Sequence, residues 1–233
     1  MKASDIMNRD VVSVRPETPI GEIAELLLEH GISAMPVLGA GGEILGIVSE
    51  SDLIRRHDIG TERHRPWWLA FFADSASLAS EYAKSRGRTA ADVMIRDVVC
   101  VTKDTPPGEI ANLMEKHHIK RVLVAEENKL VGIVSRANIL QALASRRQEQ
   151  DEPTSYEDRS IRERLIGELK TQKWVPFSKI NLIVSDGIVH LWGSVRSEEE
   201  RTALRVAAAN IPGVRDVKDH LSLLSVRVLG RTL

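Results

Sequence analysis

The chain has 233 residues, 42% hydrophobic and 28% charged, which is typical of a folded protein with room for two or three small domains. Its 32 basic and 33 acidic residues nearly cancel, so no strong overall charge draws it to nucleic acid or to a membrane surface. The single cysteine, Cys100, excludes an intramolecular disulfide and favours a reducing compartment. The N-terminus lacks an apolar run, and no apolar stretch approaches the roughly 20 residues that cross a bilayer, so we expect a soluble, cytoplasmic protein.

The chain repeats itself. The stretch DIMNRDVVSVRPETPIGEIAELLLEHGI, which begins at Asp5, matches DVMIRDVVCVTKDTPPGEIANLMEKHHI, which begins at Asp92. Further on, the heptapeptide GIVSESD at 46–52 returns as GIVSRAN at 132–138. Repeated identity at a nearly constant spacing indicates an internal duplication. A carboxylate closes the first heptapeptide and an amide closes the second.

Each copy predicts the same order of elements, which is strand, helix, strand, strand, helix. The β-branched runs at 11–14 and 98–101 predict short first strands, and the Thr-Pro that follows marks the start of an amphipathic helix. The runs AMPVL and ILGIVS, joined by GAGGE, predict a hairpin, and RVLVA and LVGIVS predict another. The serine of each heptapeptide predicts the N-cap of a closing helix.

Ser49 and Asp52 in the first heptapeptide admit two interpretations. In the first, the free N–H groups at the helix start favour a phosphate, and Asp52, one turn later on the same face, accepts hydrogen bonds from ribose hydroxyls. In the second, the pair forms a capping box, in which Ser49 caps the helix and Asp52 accepts a hydrogen bond from the Ser49 amide. In either case Gly46 permits a close approach of the backbone.

Two copies that each end in Gly-hydrophobic-x-Ser-x-x-Asp/Asn resemble a tandem pair of CBS domains, over roughly residues 1–57 and 88–145. The resemblance implies an α+β fold of two β-α-β-β-α repeats in a pseudo-twofold arrangement, usually in a homodimer. It also implies clefts that bind AMP, ADP, ATP or S-adenosylmethionine as regulatory ligands, without a required cofactor. The resemblance places eight residues in or near these clefts: Thr18, Ile47, Ser49, Asp52, Thr105, Ile133, Ser135 and Asn138.

The resemblance also implies a role for each kind of residue. The serines would meet phosphate, the aspartate and asparagine would meet ribose, and the isoleucines would line the adenine slot. Because hydrogen bonds to charged groups contribute about 1.5–3 kcal/mol and neutral ones about 0.5–1.5 kcal/mol, Asn138 should hold ribose more weakly than Asp52. The second copy also has His118, Lys120 and Arg121 before a strand that borders the cleft in the family. They either meet phosphates or form a solvated basic corner.

Four of the seven tryptophan and phenylalanine residues lie close together between the two copies, at Trp67, Trp68, Phe71 and Phe72. Pro66 before them suits the first turn of a helix. The cluster is either a helix packed on its own domain or a surface for self-association, and membrane-surface docking is a third alternative. Stacking on single-stranded nucleic acid is a weaker alternative than these three, because the net charge is near zero, and we expect no nucleic acid partner.

The last third of the chain has a different pattern. SIRERLIGELKTQKWV predicts an amphipathic helix, and KINLIVSDGIVHLWGSV predicts a hairpin that turns at Asp186-Gly187. SEEERTALRVAAANIPGV predicts a second helix, capped by Ser197 and ended by Gly213, before a last strand. This α-β-β-α-β order, with DGIVHLWGSV and IPGVRDVKDHL, resembles a BON domain. The resemblance implies a mainly bacterial module that contacts phospholipid or other macromolecules.

The sequence therefore predicts five segments: a first CBS repeat at 1–60, the aromatic insert at 61–87, a second CBS repeat at 88–146, a linker at 147–157 and a BON domain at 158–229. The seven histidines show no metalloprotease spacing, and there is no phosphate-binding loop or nucleophile elbow. The lone cysteine is expected in the core.

These observations predict a function without catalysis. We expect a regulatory protein that binds an adenine nucleotide in the clefts of its CBS pair and signals through its BON domain to an unknown protein or phospholipid partner. The alternative is a structural adaptor, in which the CBS pair forms a homodimer and the BON domain docks on a membrane or envelope component.

Overall fold

A computed structural model describes residues 1–54, 56, 60–61, 85–145 and 155–224. The predicted interface residues Trp67, Trp68, Phe71 and Phe72 lie outside this described part. The chain divides into two compact units, of which the first comprises residues 1–10, 101–124 and 131–233 and the second comprises residues 11–100 and 125–130. The two heptapeptides therefore belong to different units.

The two repeats have matching elements, but each opens with a short helix that the sequence did not predict, and the first repeat has only an isolated bridge where the second has a first strand. The first repeat contains α1 (Ala3–Ile6), α2 (Ile20–His30), β1 (Ala34–Leu38), β2 (Ile44–Ser49) and α3 (Glu50–Leu53). The second repeat contains α4 (Ala90–Val93), β3 (Cys100–Val101), α5 (Pro107–Lys116), β4 (Arg121–Glu126), β5 (Lys129–Ser135) and α6 (Arg136–Ser145). The C-terminal third contains α7 (Tyr156–Lys170), β6 (Ile180–Ser185), β7 (Ile188–Val195), α8 (Glu198–Ala209) and β8 (Asp216–Leu223).

The second unit is organised around α2 and the β1–β2 hairpin. The antiparallel pairing of β1 with β2 confirms that GAGGE is a turn between two strands. The apolar spacing predicted for α2 places Ile23 and Leu27 in a buried core with Met35 and Val48. The short helix α4 adds Val93 to the same core. This core supports β2, within which the first heptapeptide begins.

The first strand of each repeat is shorter than predicted. From the run at 11–14 only Val14 pairs, through an isolated parallel bridge to Val37, and a turn follows in which the Thr18 amide donates to the Arg15 carbonyl. From the run at 98–101 only the last two residues form β3. The prediction that Cys100 lies in the core is wrong, since it is exposed. Successive strand side chains point to opposite faces, and its neighbour in β3 occupies the buried one.

The C-terminal third folds in the predicted α-β-β-α-β order. β6 and β7 pair antiparallel through the turn at Asp186 and Gly187, whose φ angles of 54° and 71° are those of a type I′ hairpin turn. β8 pairs parallel with β7. One face of this three-stranded sheet packs on α7 through Ile161, Leu165 and Leu169, which lie on the apolar side of the predicted amphipathic helix.

The second helix of this third begins as predicted but ends earlier. Its N-cap is Ser197, whose hydroxyl accepts a hydrogen bond from the Glu200 amide at 3.2 Å. The prediction that Gly213 ends it is wrong, because α8 stops at Ala209. Pro212 disfavours helical backbone at the residue before it, which accounts for the earlier end. Gly213 serves the following turn instead, with a φ of 96° that favours glycine.

The other face of this sheet is covered, at β6, by α1 and α6 of the same unit. The buried guanidinium of Arg162 donates hydrogen bonds to the carbonyl oxygens of Leu182 at 2.7 Å, Ser4 at 2.9 Å and Met7 at 2.8 Å. Burial lowers the pKa of Arg162 to about 9, so the side chain remains a cation at neutral pH. Residues 162 and 182 belong to the C-terminal third and the two other carbonyls to the N-terminal segment. The side chain of Arg162 therefore joins the N-terminal segment to the C-terminal third.

Candidate functional site

Each heptapeptide pairs with the opening segment of the other repeat. In the second unit, Ile47 and Ile95 exchange two backbone hydrogen bonds, both of 2.9 Å. In the first unit, Ile133 and Asn8 exchange two backbone hydrogen bonds, also of 2.9 Å. Because Asn8 and Ile95 are equivalent positions of the duplication, the same local geometry occurs twice, once in each unit.

The glycine that opens each heptapeptide is required by this pairing. A Cβ on Gly46 would lie 2.7 Å from Sδ of Met94 and 2.8 Å from the carbonyl oxygen of Ile95. A Cβ on Gly132 would lie 3.0 Å from the carbonyl oxygen of Asn8. Real side chains do not approach a backbone oxygen so closely without a shift of the chain. The prediction that Gly46 permits a close backbone approach is confirmed.

The polar end of the first heptapeptide forms a capping box. Oδ2 of Asp52 accepts hydrogen bonds from the Ser49 amide at 3.0 Å and from the Ser49 hydroxyl at 2.7 Å. Asp52 is only 6% exposed, and it lies on the short helix α3. This is the second of the two interpretations that the sequence allows. The contact with ribose stays a prediction.

The second heptapeptide ends in a similar arrangement with one addition. Oδ1 of Asn138 accepts hydrogen bonds from the amide and the hydroxyl of Ser135, both at 2.7 Å. Asn138 is 8% exposed. Its side-chain nitrogen donates to Oε1 of Gln141 at 3.3 Å. An ionised carboxylate has no hydrogen to donate, so an aspartate at this position could not make that last contact.

Thr18 and Thr105 occupy equivalent positions at the start of the short helices. The carbonyl oxygen of Thr18 accepts a hydrogen bond from the Ala90 amide at the start of α4, and that of Thr105 accepts one from the Ala3 amide at the start of α1, both at 2.9 Å. Such bonds satisfy amides that a helix leaves without internal partners. Each threonine thus holds the segment that pairs with a heptapeptide. Contact of their side chains with a ligand stays a prediction.

The basic residues of the second copy lie at the entrance to β4. Lys120 is exposed and Arg121 is half-buried as the first residue of that strand. The carbonyl oxygen of Lys120 accepts a hydrogen bond from the Arg136 amide at 3.1 Å, which brings this entrance to the first residue of α6. The arrangement places positive charge near the end of the second heptapeptide. Binding of phosphate by these side chains stays a prediction.

Sequence reasoning missed the residues that join the second repeat to the C-terminal third. Gln141 and Asn181 contact each other, with Nδ2 of Asn181 donating to Oε1 of Gln141 at 2.9 Å. The tip of Trp192 donates to the Ser145 hydroxyl at 3.1 Å. One signal was present, because Asn181 is a polar residue in the otherwise apolar start of INLIVS. A buried polar side chain in a strand calls for a specific partner.

The profile of the CBS domain matches residues 3–58 and 90–145, and the profile of the BON domain matches residues 157–225. This chain is a CBS-pair protein with a C-terminal BON domain. Its α+β fold, built from two CBS repeats and a small BON domain, agrees with the fold predicted from the sequence.

Proteins similar to this CBS-pair protein come from several lineages. The uncharacterised protein MJ1426 of Methanocaldococcus jannaschii is 30% identical over 154 residues, which cover 61% of this chain and 91% of that protein. Inosine-5′-monophosphate dehydrogenase of Korarchaeum cryptofilum is 27% identical over 139 residues, but these cover 59% of this chain and only 23% of the enzyme. The chain therefore matches a part of that enzyme.

A solved structure is also similar. The crystal structure of CBSX2 in complex with AMP matches 61% of this chain and 96% of that chain, with 25% sequence identity and a TM-score of 0.54. CBSX2 is a chloroplastic CBS domain-containing protein of Arabidopsis thaliana. Among the residues that the structure of our protein describes, no helix has the length and hydropathy needed to cross a membrane.

Proposed function

We propose that this protein is a non-catalytic regulator that binds an adenine nucleotide at its heptapeptides and passes on the bound state through its BON domain. The observation that supports this most directly is the duplicated site. Each copy combines a glycine in close contact with a neighbouring segment, a serine at a helix start and a buried Asp or Asn. The AMP complex of CBSX2, a similar protein, supports an adenine nucleotide as the class of ligand.

In the proposed complex, Ile47 and Ile133 contact the adenine, the serines contact phosphate, and Asp52 and Asn138 contact ribose. Ribose hydroxyls donate to the Asp52 carboxylate, and phosphate accepts from a serine hydroxyl once that hydroxyl turns its one hydrogen away from the Asp52 or Asn138 oxygen that otherwise accepts it. The capping box does not by itself compete with the ribose, because a carboxylate offers roughly four acceptor positions. Lys120 and Arg121 supply charge for additional phosphates in the second copy.

Calorimetric titration of the full chain with AMP, ADP, ATP and S-adenosylmethionine tests this proposal. We expect saturable binding of at least one of them, and Asp52→Ala should weaken binding at the first copy by roughly tenfold, the effect of a charge-assisted hydrogen bond. Asp52→Asn is the matched variant, because it keeps an acceptor and should lose less affinity. Absence of binding of all four ligands to protein shown to be ligand-free would refute the proposal.

A structural adaptor is the second candidate, and α6 provides the observation that favours it. Leu140 and Leu143 lie one turn apart on this helix and are 64% and 68% exposed. Exposed leucines on one helical face are typical of a contact surface, and here we propose a second copy of the chain as the partner. Light scattering should give a dimer mass that Leu143→Glu reduces. Co-sedimentation of the full chain with anionic liposomes tests whether it also docks on a membrane.

A further inference from the structure

Three side-chain amides connect the second heptapeptide to the BON domain. Oε1 of Gln141, on α6, accepts hydrogen bonds from Nδ2 of Asn138 at 3.3 Å and from Nδ2 of Asn181 at 2.9 Å. Nδ2 of Asn181, on β6, also donates to the carbonyl oxygen of Ile6 at 3.2 Å. Asn138 and Asn181 are 8% and 7% exposed, so water replaces these bonds poorly. We call this series of three side chains the amide chain.

Backbone groups at the two ends determine the direction of every bond in the amide chain. At one end the Ser135 amide can only donate, so Asn138 turns its oxygen toward it and its nitrogen toward the glutamine. At the other end the Ile6 carbonyl can only accept, so Asn181 turns its nitrogen toward it. The Leu182 amide donates to Oδ1 of Asn181 at 3.0 Å and sets the same orientation. The glutamine oxygen between the two asparagines therefore faces two donors.

This polarity explains why an amide closes the second heptapeptide. A carboxylate at position 138 would place an acceptor against Oε1 of Gln141, which is itself an acceptor, inside a largely dry site. In the first heptapeptide the sequence has Asp52 and, at the position equivalent to Gln141, the cationic Arg55. A carboxylate thus occurs with a donor three residues later, and an amide occurs with an acceptor. The amide at position 138 thus agrees with the hydrogen bond that this side chain donates to Gln141.

We propose that the amide chain couples the ligand site of the second repeat to the docking of the BON domain, so that a bound nucleotide tightens the dock. The proposal rests on the function proposed above. Among the described residues, the one hydrogen bond that Nδ2 of Asn138 donates goes to Gln141. The nitrogen carries a second hydrogen, which a ribose hydroxyl oxygen accepts without breaking that bond. The ligand then adds a further hydrogen bond to the orientation of Asn138 that the Ser135 amide sets and that the docked BON domain uses.

The coupling acts in both directions. If a nucleotide tightens docking by some factor, docking raises the affinity of the second repeat for that nucleotide by the same factor. Since the amide chain transmits the effect through one hydrogen bond at each step, we expect a factor of roughly three to ten. The first heptapeptide lies in the other unit and has no such side-chain series among the described residues, so its affinity should not depend on the dock.

Two substitutions of Gln141 in the full chain separate the coupling from folding. Gln141→Leu has a similar size and removes the central acceptor, whereas Gln141→Glu keeps an acceptor for both asparagines and serves as the matched control. Hydrogen exchange of residues 3–8 and 180–185 reports docking without ligand. Exchange in these segments should be roughly three- to tenfold faster in Gln141→Leu and close to wild type in Gln141→Glu.

The same proteins are then titrated with AMP. Protection of residues 132–138 reports binding to the second repeat, and protection of residues 46–52 reports the first repeat as an internal control. We expect Gln141→Leu to weaken AMP binding at 132–138 by roughly three- to tenfold and to leave binding at 46–52 unchanged. In the wild-type protein, AMP should also slow exchange at 180–185.

The outcomes distinguish the coupling from the underlying function. If AMP protects residues 132–138 equally well in the wild-type protein and in Gln141→Leu, the proposed coupling is wrong and the proposed nucleotide binding stands. If AMP fails to protect 132–138 in the wild type, the second repeat is not an AMP site and the coupling falls with it. If, without ligand, the exchange rates of residues 3–8 and 180–185 are the same in Gln141→Leu and in the wild type, the amide chain does not stabilise docking of the BON domain, and the proposed coupling is wrong regardless of the effect of AMP.

Discussion

Replacing Arg162 by methionine should release the BON domain from the N-terminal segment. The guanidinium lies in the interior at 4% exposure and donates to three carbonyl oxygens, those of Leu182, Ser4 and Met7. Methionine has a similar length and no charge, so it fills much of the volume while removing every donor. The substitution therefore tests the hydrogen bonds more than the packing.

The expected loss of stability follows from leaving the three carbonyl oxygens without hydrogen-bond donors. Each buried acceptor left without a partner costs about 1–3 kcal/mol, which gives about 3–9 kcal/mol for three. Relief from keeping a cation in the interior returns several kcal/mol of this, because burial of an unpaired charge is itself unfavourable. We therefore expect Arg162→Met to lower the free energy of unfolding by about 3 kcal/mol. Arg162→Lys keeps the charge but lacks the planar fork, so it should recover only part of the loss.

Urea denaturation of the full chain, combined with hydrogen exchange, measures this loss. Exchange at residues 3–8 and 180–185 should accelerate strongly in Arg162→Met, while β1 in the other unit should change little. Arg164→Met is the matched control, because Arg164 is an exposed residue of the same helix whose change should stay within about 0.5 kcal/mol. If Arg162→Met costs no more than Arg164→Met, the three carbonyl contacts do not stabilise the dock.

Three further predictions concern other parts of the molecule. Burial and the neighbouring His220 lower the pKa of His190 to about 4. The unfolded chain takes up a proton on this histidine near pH 6.5, whereas the folded chain does so only near pH 4, so the free energy of unfolding should fall as the pH drops from 6.5 to 4. After allowance for partial solvent access, we expect a fall of about 2 kcal/mol. Urea titrations of His190→Phe should lack this dependence. Gly46→Ala should lower the free energy of unfolding by about 1–3 kcal/mol in a thermal unfolding assay, because the new Cβ would lie 2.8 Å from the Ile95 carbonyl oxygen. Gly21→Ala is the control and should cause no loss of stability, because a Cβ at that position has no neighbouring atom within 4 Å. Asp158→Ala should lower the free energy of unfolding by about 2–4 kcal/mol in the same assay. In the wild-type protein, Oδ1 of Asp158 accepts a hydrogen bond from the Gly187 amide at 2.7 Å, and Oδ2 accepts one from the Asp186 amide at 3.1 Å. An unchanged melting temperature would show that these bonds do not stabilise the turn.

The features that could be predicted from the sequence are those with a local cause. The duplication is visible as identity at a nearly constant spacing, and Asp186-Gly187 predicts its turn because both residues tolerate a positive φ. Ser197 predicts a helix start because its hydroxyl satisfies an amide within the same turn. The predicted end of α8 at Gly213 failed because Pro212, one residue earlier, disfavours a helix that reaches the glycine.

The candidate site was predicted in composition but not in arrangement. Both heptapeptides are evident in the sequence, and the capping box was one of two local alternatives. Sequence spacing did not show that Ile47 pairs with Ile95 or that Ile133 pairs with Asn8. These partners lie far apart in the chain, and no periodic pattern links them. The glycines were recognised as sites of close approach, but only the structure shows what approaches them.

The sequence by itself determined the domain composition of this protein and the residue types at its two heptapeptides, because repeats, caps and turns depend on neighbours within a few positions. The tertiary structure decided which segments meet: the N-terminal helix with β6, Arg162 with three carbonyl oxygens, and Asn138 with Asn181 through Gln141. Contacts at this sequence separation depend on how apolar faces are buried together, and only then do buried polar groups find their partners. The Asp-to-Asn difference between the heptapeptides is therefore visible in the sequence, whereas the hydrogen bond that Asn138 donates to Gln141 is visible only in the fold.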